Sequence, residues 1–472
     1  MTLSRRRFLA TTAAVAPTLL LPSIARAAAD AATTLRVEKR TIQVRGKSAD
    51  AFALVQPDGA RGHVAEAGGR FRVRLENRAG EPTLIHWHGL TPPWQQDGVP
   101  DLSQPALPPG RSYDYDFPLT QPGTHWMHSH LGLQEQRLMA APLIVRDRSD
   151  RLADIHEVVV MLHDFTFRDP AEILTGLQKG APSEGHGAPA AGGHGGHGAP
   201  VPAAAHLHDV EYDAFLADDR TLDDPAVYRV DKGSQVRLRL INAATTTHFW
   251  IELDRLAGRL IAVDGVAVMP VTGHRFEFAI AQRLDILLDL PNEEGAWPVF
   301  AVREGDVKRT GFVLATKNGR VRRLAAEAHD KAAPVDLDLE RRLRAAAPLS
   351  ERPADRRHTL TITEAPGYVW KLNGRVHGEH APLPVRRGER VEITFVDQTT
   401  MAHPMHLHGH SFQVVAVGGH RFSGAVRDTV LVPARGIVTI AFDAGNPGKW
   451  ALHCHHLYHM AGGMMTTVEY EA

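Results

Sequence analysis

The chain has 472 residues, of which 53 are Lys or Arg and 54 Asp or Glu, for a formal charge of −1. That balance gives no electrostatic basis for a nucleic-acid or membrane-surface partner, and the length fits two to four ordinary domains. One cysteine, Cys454, stands against 28 histidines; an internal disulfide is excluded, and the thiol is a free group, an intermolecular partner or a metal ligand.

The chain opens with "SRRRFLA" (4–10), a mildly apolar run, and small residues in "ARAAAD". Paired arginines before an apolar run are the twin-arginine form of an export signal, expected over 1–29 and removed after passage through the twin-arginine export machinery into the periplasm. Pro17 and Pro22 interrupt the run, and a spanning helix needs about 20 mainly apolar residues. No later stretch is long and apolar enough to span, so no membrane partner is expected.

Three segments then repeat one plan: "GGRFRVRLENRAGEPTLIHWHG" (68–89), "KGSQVRLRLINAATTTHFWIE" (232–252) and "GERVEITFVDQTTMAHPMHLHG" (388–409). Each has a turn, an alternating strand, an Asn or Asp that stops it, and a second segment. A further pair, "PGTHWMHSH" (122–130) and "PGKWALHCH" (447–455), has its middle counterpart in "EGAWPVFAV" (294–302), without the histidines. Period-two strands punctuated by Gly and Pro predict an all-β chain of three consecutive sandwich or small-barrel domains, placed at 30–147, 148–330 and 331–472. Helix is expected only in short pieces such as "LERRLRAAA". Between 180 and 208 a Gly/Pro/Ala/His-rich insert is too poor in large apolar residues to offset the entropy of ordering; His208 belongs to the resuming domain.

Four H-x-H pairs concentrate the histidines: His86 and His88, His128 and His130, His406 and His408, His453 and His455. Residues i and i+2 of a strand share a face, so each pair projects two imidazoles side by side. Eight such imidazoles, four from each outer domain, predict a metal cluster at the interface of domains 1 and 3. In His453-Cys454-His455 the thiol faces opposite to the imidazoles. His403 and His459 remain for its side, with Met464 beyond, and two histidines, a cysteine and a weak axial methionine are the ligand set of a blue-copper electron-transfer site. Ser129 stands where Cys454 stands in the repeat, so domain 1 is expected to lack such a site.

"HWHG", "HSH", "HPMHLHGH" and "HCHHLYHMAGGM", in that order, resemble the four copper motifs of the multicopper oxidases, from about residue 35 to the C-terminus. "HGLTPPWQQDGVPDLSQPALPPG" and "HCHHLYHM" are most similar to the periplasmic copper-resistance branch. The resemblance implies three cupredoxin domains and four copper ions. Type 1 copper falls to His403, Cys454, His459 and Met464, type 2 to His86 and His406, and the type 3 pair to His88, His128, His130, His408, His453 and His455. It also implies a laccase-like oxidase that takes single electrons from phenols, aromatic amines or Cu(I), passes them through Cys454 and reduces dioxygen to water. Asp97 matches a family aspartate that assists proton supply, although Asp-Gly is also an ordinary turn pair. Asp428 is a weaker candidate for a role behind the metal ligands and reads first as a structural partner of Arg427; His125, His410 and His456 match no ligand position and read as packing or surface residues.

Two features depart from the pattern. Met460 follows the last type 1 histidine where some relatives carry an acid, and no methionine-rich insert is present; Met401, Met405, Met460 and Met465 crowd the type 1 motifs, either as a small Cu(I) route or, the reading preferred, as apolar packing around the site. A periplasmic copper-buffering protein is the competing reading; it suits the His/Gly insert and leaves the Cys–His link between two sites without purpose. Nothing in the sequence demands more than a monomer.

Overall fold

The computed structural model describes residues 32–180 and 206–471. The leader expected over 1–29 and nearly all of the 180–208 insert lie outside the described residues. Among the described residues, strands form six sheets, two to each of three β-sandwiches.

The repeat read in the sequence is a repeat of topology. In one sheet of each sandwich the opening strand pairs in parallel with a later one: Thr33–Val44 with Arg70–Arg78, His156–Phe165 with Gln235–Asn242, and Arg356–Ala365 with Arg390–Asp397. The facing sheet does likewise: His63–Glu66 with Ala140–Arg146, Val227–Arg229 with Arg309–Ala315, and Leu383–Val385 with Met465–Tyr470.

Alternation builds these strands. In Arg70–Arg78, Phe71, Val73 and Leu75 are fully buried while their arginine neighbours face outward, the pattern of a sheet with one wet face. The residue that stops each such strand acts through its side chain. Asn77, Asn242 and Asp397 accept at Oδ1 from the backbone N–H two residues on, in Ala79, Ala244 and Thr399. This Asx turn sends the chain across to the facing sheet, where the histidine strands begin.

Helix is confined to short segments. Of "LERRLRAAA" (339–347) only the first four residues are helical, within Asp338–Arg342, with Leu343 already extended. Pro170–Gln178 and Leu457–Ala461 are the others that bear on the packing. The last of these lies inside a motif that reads as strand, and it turns His459 back toward Cys454. No helix of the described residues is long and apolar enough to cross a membrane.

Candidate metal centre

All four histidine pairs sit at strand ends. His86 closes Ile85–His86 and pairs with His128 in Gly123–Ser129; His406 in His403–Leu407 pairs with His453 in Lys449–Cys454. His88, His130, His408 and His455 lie one or two residues past those ends. The eight imidazoles meet between the first and third sandwiches, each 7% exposed or less. Their ligand atoms fall into overlapping groups: His86, His88 and His406; His88, His128 and His455; His130, His408 and His453. Across the interface Nε2 faces Nε2, at 3.5 Å for His86 and His406, 3.3 Å for His128 and His455, and 3.4 Å for His130 and His453; within the third sandwich His408 and His453 stand 3.0 Å apart.

Outer partners decide which nitrogen carries the proton. His86, His128, His406 and His453 donate from Nδ1 to the carbonyls of Asp97, Ser129, Asp428 and Cys454 at 2.8, 3.0, 2.9 and 2.9 Å. His408 donates from Nδ1 to the Asp97 carboxylate at 2.8 Å. His88 is reversed: its Nε2 donates to Asp428 Oδ1 at 3.1 Å, and its buried Nδ1 has no hydrogen-bond partner. With those protons placed outside, bare lone pairs converge inside. Burial, reinforced by neighbouring imidazoles, holds His88, His130, His406, His408 and His455 well below the usual imidazole value, so they stay neutral. Neutral, outward-hydrogen-bonded imidazoles are what a metal requires of its ligands, and the set fits borderline divalent metals including copper.

Cys454 lies on the opposite side of the same strand. Its Sγ is 3.7 Å from His403 Nδ1 and 3.8 Å from His459 Nδ1, and the two Nδ1 atoms are 3.1 Å apart. Met464 is fully buried and linked to the group through the backbone, its N–H donating to His459 O and its carbonyl accepting from Cys454 N–H. Burial raises the thiol and lowers both imidazoles, so a thiolate here calls for a cation beside it. His403 Nε2 meets Thr399 Oγ1 at 2.8 Å, and His459 Nε2 donates to Asp209 Oδ2 at 3.0 Å. His459 is covered on both faces, by the Trp370 ring at 3.9 Å and the His456 ring at 3.6 Å.

Asp97 reaches both kinds of position through its backbone and carboxylate, held by the turn at Gly98, whose φ of +80° and contact with the Ile85 carbonyl admit no side chain. One expectation needs correction. Asp428 pairs with Arg283 of the middle sandwich, not with Arg427, which instead binds Asp264 and Glu340; it also touches His88, a role its neighbour in sequence hides. His125, His410 and His456 are all buried, so they pack and none lies at the surface. Asp209, Thr399 and Glu135 are site residues that the sequence reading missed. Asp209 comes from the middle domain with no spacing signal, whereas Thr399 lies four residues before His403 and Glu135 five after His130, near in sequence but outside the histidine motifs.

The chain belongs to the multicopper oxidases, whose family models match residues 63–150, 156–319 and 351–472. It is 30% identical over 431 residues to the multicopper oxidase MmcO of Mycobacterium tuberculosis, covering 86% of this chain and 80% of that one. Copper resistance protein A of Escherichia coli is 26% identical over 86% of each chain. The crystal structure of Fet3p, a multicopper oxidase that functions in iron import, matches with a TM-score of 0.76 and 18% identity over 93% of this chain and 90% of its own, a likeness of fold. The architecture is therefore three cupredoxin domains, and the family implies copper.

Proposed function

We propose that this protein is a laccase-like multicopper oxidase that couples one-electron oxidation of a phenol, an aromatic amine or Cu(I) to reduction of dioxygen. The observation that carries this reading is the strand Lys449–Cys454, which presents a thiol to one buried histidine pair and, from its other side, imidazoles to an eight-histidine cluster. His403, Cys454, His459 and Met464 would hold type 1 copper; His86 and His406 type 2; His88, His128, His130, His408, His453 and His455 the type 3 pair. Bound there, four copper ions would supply one-electron exchange at the thiolate and four-electron reduction of dioxygen to water at the cluster.

The chain's own part is to bind, orient and connect. Outer carbonyls and carboxylates fix the imidazole tautomers, and burial keeps water from competing for the ligands. The backbone of His453-Cys454-His455 is the covalent link between the two sites. Asp97 touches His408 through Oδ2 and is placed to hold a proton at Oδ1, the oxygen left without a hydrogen-bond partner, which supports its assignment to proton supply. His459 is sealed by Trp370, His456 and Asp209, which are themselves buried, so a reducing substrate does not touch the imidazole directly. The domain limits of 30–147, 148–330 and 331–472, export to the periplasm and a monomeric state belong to the same reading.

The test is oxygen uptake by the copper-loaded protein with Cu(I) and a simple phenol as alternative donors. Uptake that requires copper and runs with either donor is the expected result, and the faster donor names the substrate class. Copper binding without oxygen uptake from any donor would overturn the reading in favour of copper buffering.

A further inference from the structure

The turn after the second histidine pair, Gln134-Glu135-Gln136, belongs to no ligand set, yet all three residues are buried. Its two glutamines are anchored in different parts of the molecule. Gln134 Oε1 accepts from Ser129 Oγ at 2.7 Å and Thr83 Oγ1 at 2.9 Å, and its Nε2 donates to Pro82 O at 2.8 Å, all in the first sandwich. Gln136 Oε1 accepts from Thr245 Oγ1 at 2.7 Å and Tyr212 OH at 3.0 Å in the middle sandwich, and from Tyr458 OH at 3.2 Å in the third. Leu138, at φ +61°, closes the turn.

Glu135 is thereby aimed inward from a junction of all three domains. Its Oε2 lies 3.1 Å from His128 Nδ1, beside the Ser129 carbonyl that accepts that nitrogen's proton at 3.0 Å, and its Oε1 lies 3.9 Å from His455 Nδ1. It is 3% exposed, and Oε1 has no hydrogen-bond partner. The two imidazoles it faces come from opposite ends of the chain, and their Nε2 atoms stand 3.3 Å apart. A buried carboxylate is costly unless it is paired. Set against the outer nitrogen of a ligand histidine, it fixes the ring and makes the inner nitrogen a stronger donor.

We propose that Glu135 is a positioning residue that aligns His128 of the first domain and His455 of the third, so that a copper ion is bound across the domain interface by His88, His128 and His455. This rests on the functional reading above. In the full chain, Glu135→Ala is expected to weaken copper at that group by about 10- to 100-fold. Under a competing chelator it would lose the type 3 spectrum while keeping the blue absorption of Cys454. Glu135→Gln, which keeps the shape of the side chain, should lose it as well, and Glu135→Asp should restore part. A role limited to folding would lower both signals together in Glu135→Ala and Glu135→Gln, and that overturns the proposal. So does an unchanged type 3 spectrum at every chelator concentration. Parent protein that binds copper at neither site would overturn the functional reading instead.

Discussion

In the third sandwich, His403, Cys454 and His459 surround one buried point, with Met464 tied to them through its backbone; in the first, the residues at the corresponding places are Thr83, Ser129, Gln134 and Met139. Thr83 stands three residues before His86 as His403 does before His406, and Gln134 and Met139 follow Ser129 at the intervals by which His459 and Met464 follow Cys454. The backbone agrees: Ser129 N–H donates to Met139 O and Met139 N–H to Gln134 O, just as Cys454 N–H donates to Met464 O and Met464 N–H to His459 O. The fillings differ in kind. Ser129 and Thr83 hydroxyls both donate to Gln134 Oε1, and Thr83 Oγ1 also lies 3.1 Å from Met139 Sδ. Hydroxyls and an amide satisfy one another, so the first pocket is complete without a cation. Two imidazole nitrogens and a thiol 3.1 to 3.8 Å apart are all lone-pair donors once the thiol ionises, and they converge where a positive charge would sit. One scaffold thus gives either a closed hydrogen-bond knot or a metal-binding pocket, according to three side chains.

The largest effect expected from disturbing this comparison comes from Cys454→Ser, which puts the first pocket's residue into the third. Blue absorption and oxidase turnover should vanish while copper at the eight-histidine cluster remains, as read by optical and EPR spectra alongside metal analysis; full turnover would break the proposed electron route. The reverse transplant, Thr83→His with Ser129→Cys and Gln134→His, should add one blue copper per chain, because Met139 and the backbone are already in place. If no extra copper binds, the identity of the two pockets ends at the backbone. Acid supplies the smallest contrast. Burial lowers His403 and His459 in the folded protein relative to an ordinary value near 6.5, so opened states bind more protons than the native state below that pH. Stability therefore falls as pH drops below about 6.5, by about 1.4 kcal/mol per unit for each such histidine. In metal-free protein, exchange of the Cys454 amide should speed up on acidification, after correction for the intrinsic rate, and by more than that of the Ser129 amide, because His403 and His459 add to the buried imidazoles that both strands share.

Much of this was legible in the sequence because period-two alternation is strict. H-x-H on a strand fixes a shared face, and H-C-H fixes the opposition of thiol and imidazoles. The threefold repeat was visible through Asn77, Asn242 and Asp397, whose side chains make the same turn three times. What escaped was whatever is assembled across domains. Asp209 reaches His459, Arg283 takes Asp428 away from Arg427, and Glu135 joins His128 to His455. No local rule of spacing links residues that only the packed tertiary structure brings together. The helix Leu457–Ala461 escaped for a local reason: "LYHMA" is short and flanked by strand, and only the demand that His459 face Cys454 bends it into a turn.

The cluster's division between the two outer domains also bears on how the chain holds together. A chain with one cysteine has no disulfide with which to fasten its ends. Metal shared by imidazoles of the first and third domains, as proposed above, would do the equivalent work, closing a loop that contains the whole middle domain and disfavouring open conformations by the same chain-entropy argument that applies to a covalent cross-link. Because such binding acts by mass action, the strength of this fastening rises with the supply of copper: the outer domains of the metal-free chain are held by packing and hydrogen bonds, and those of the loaded chain by its own cofactor.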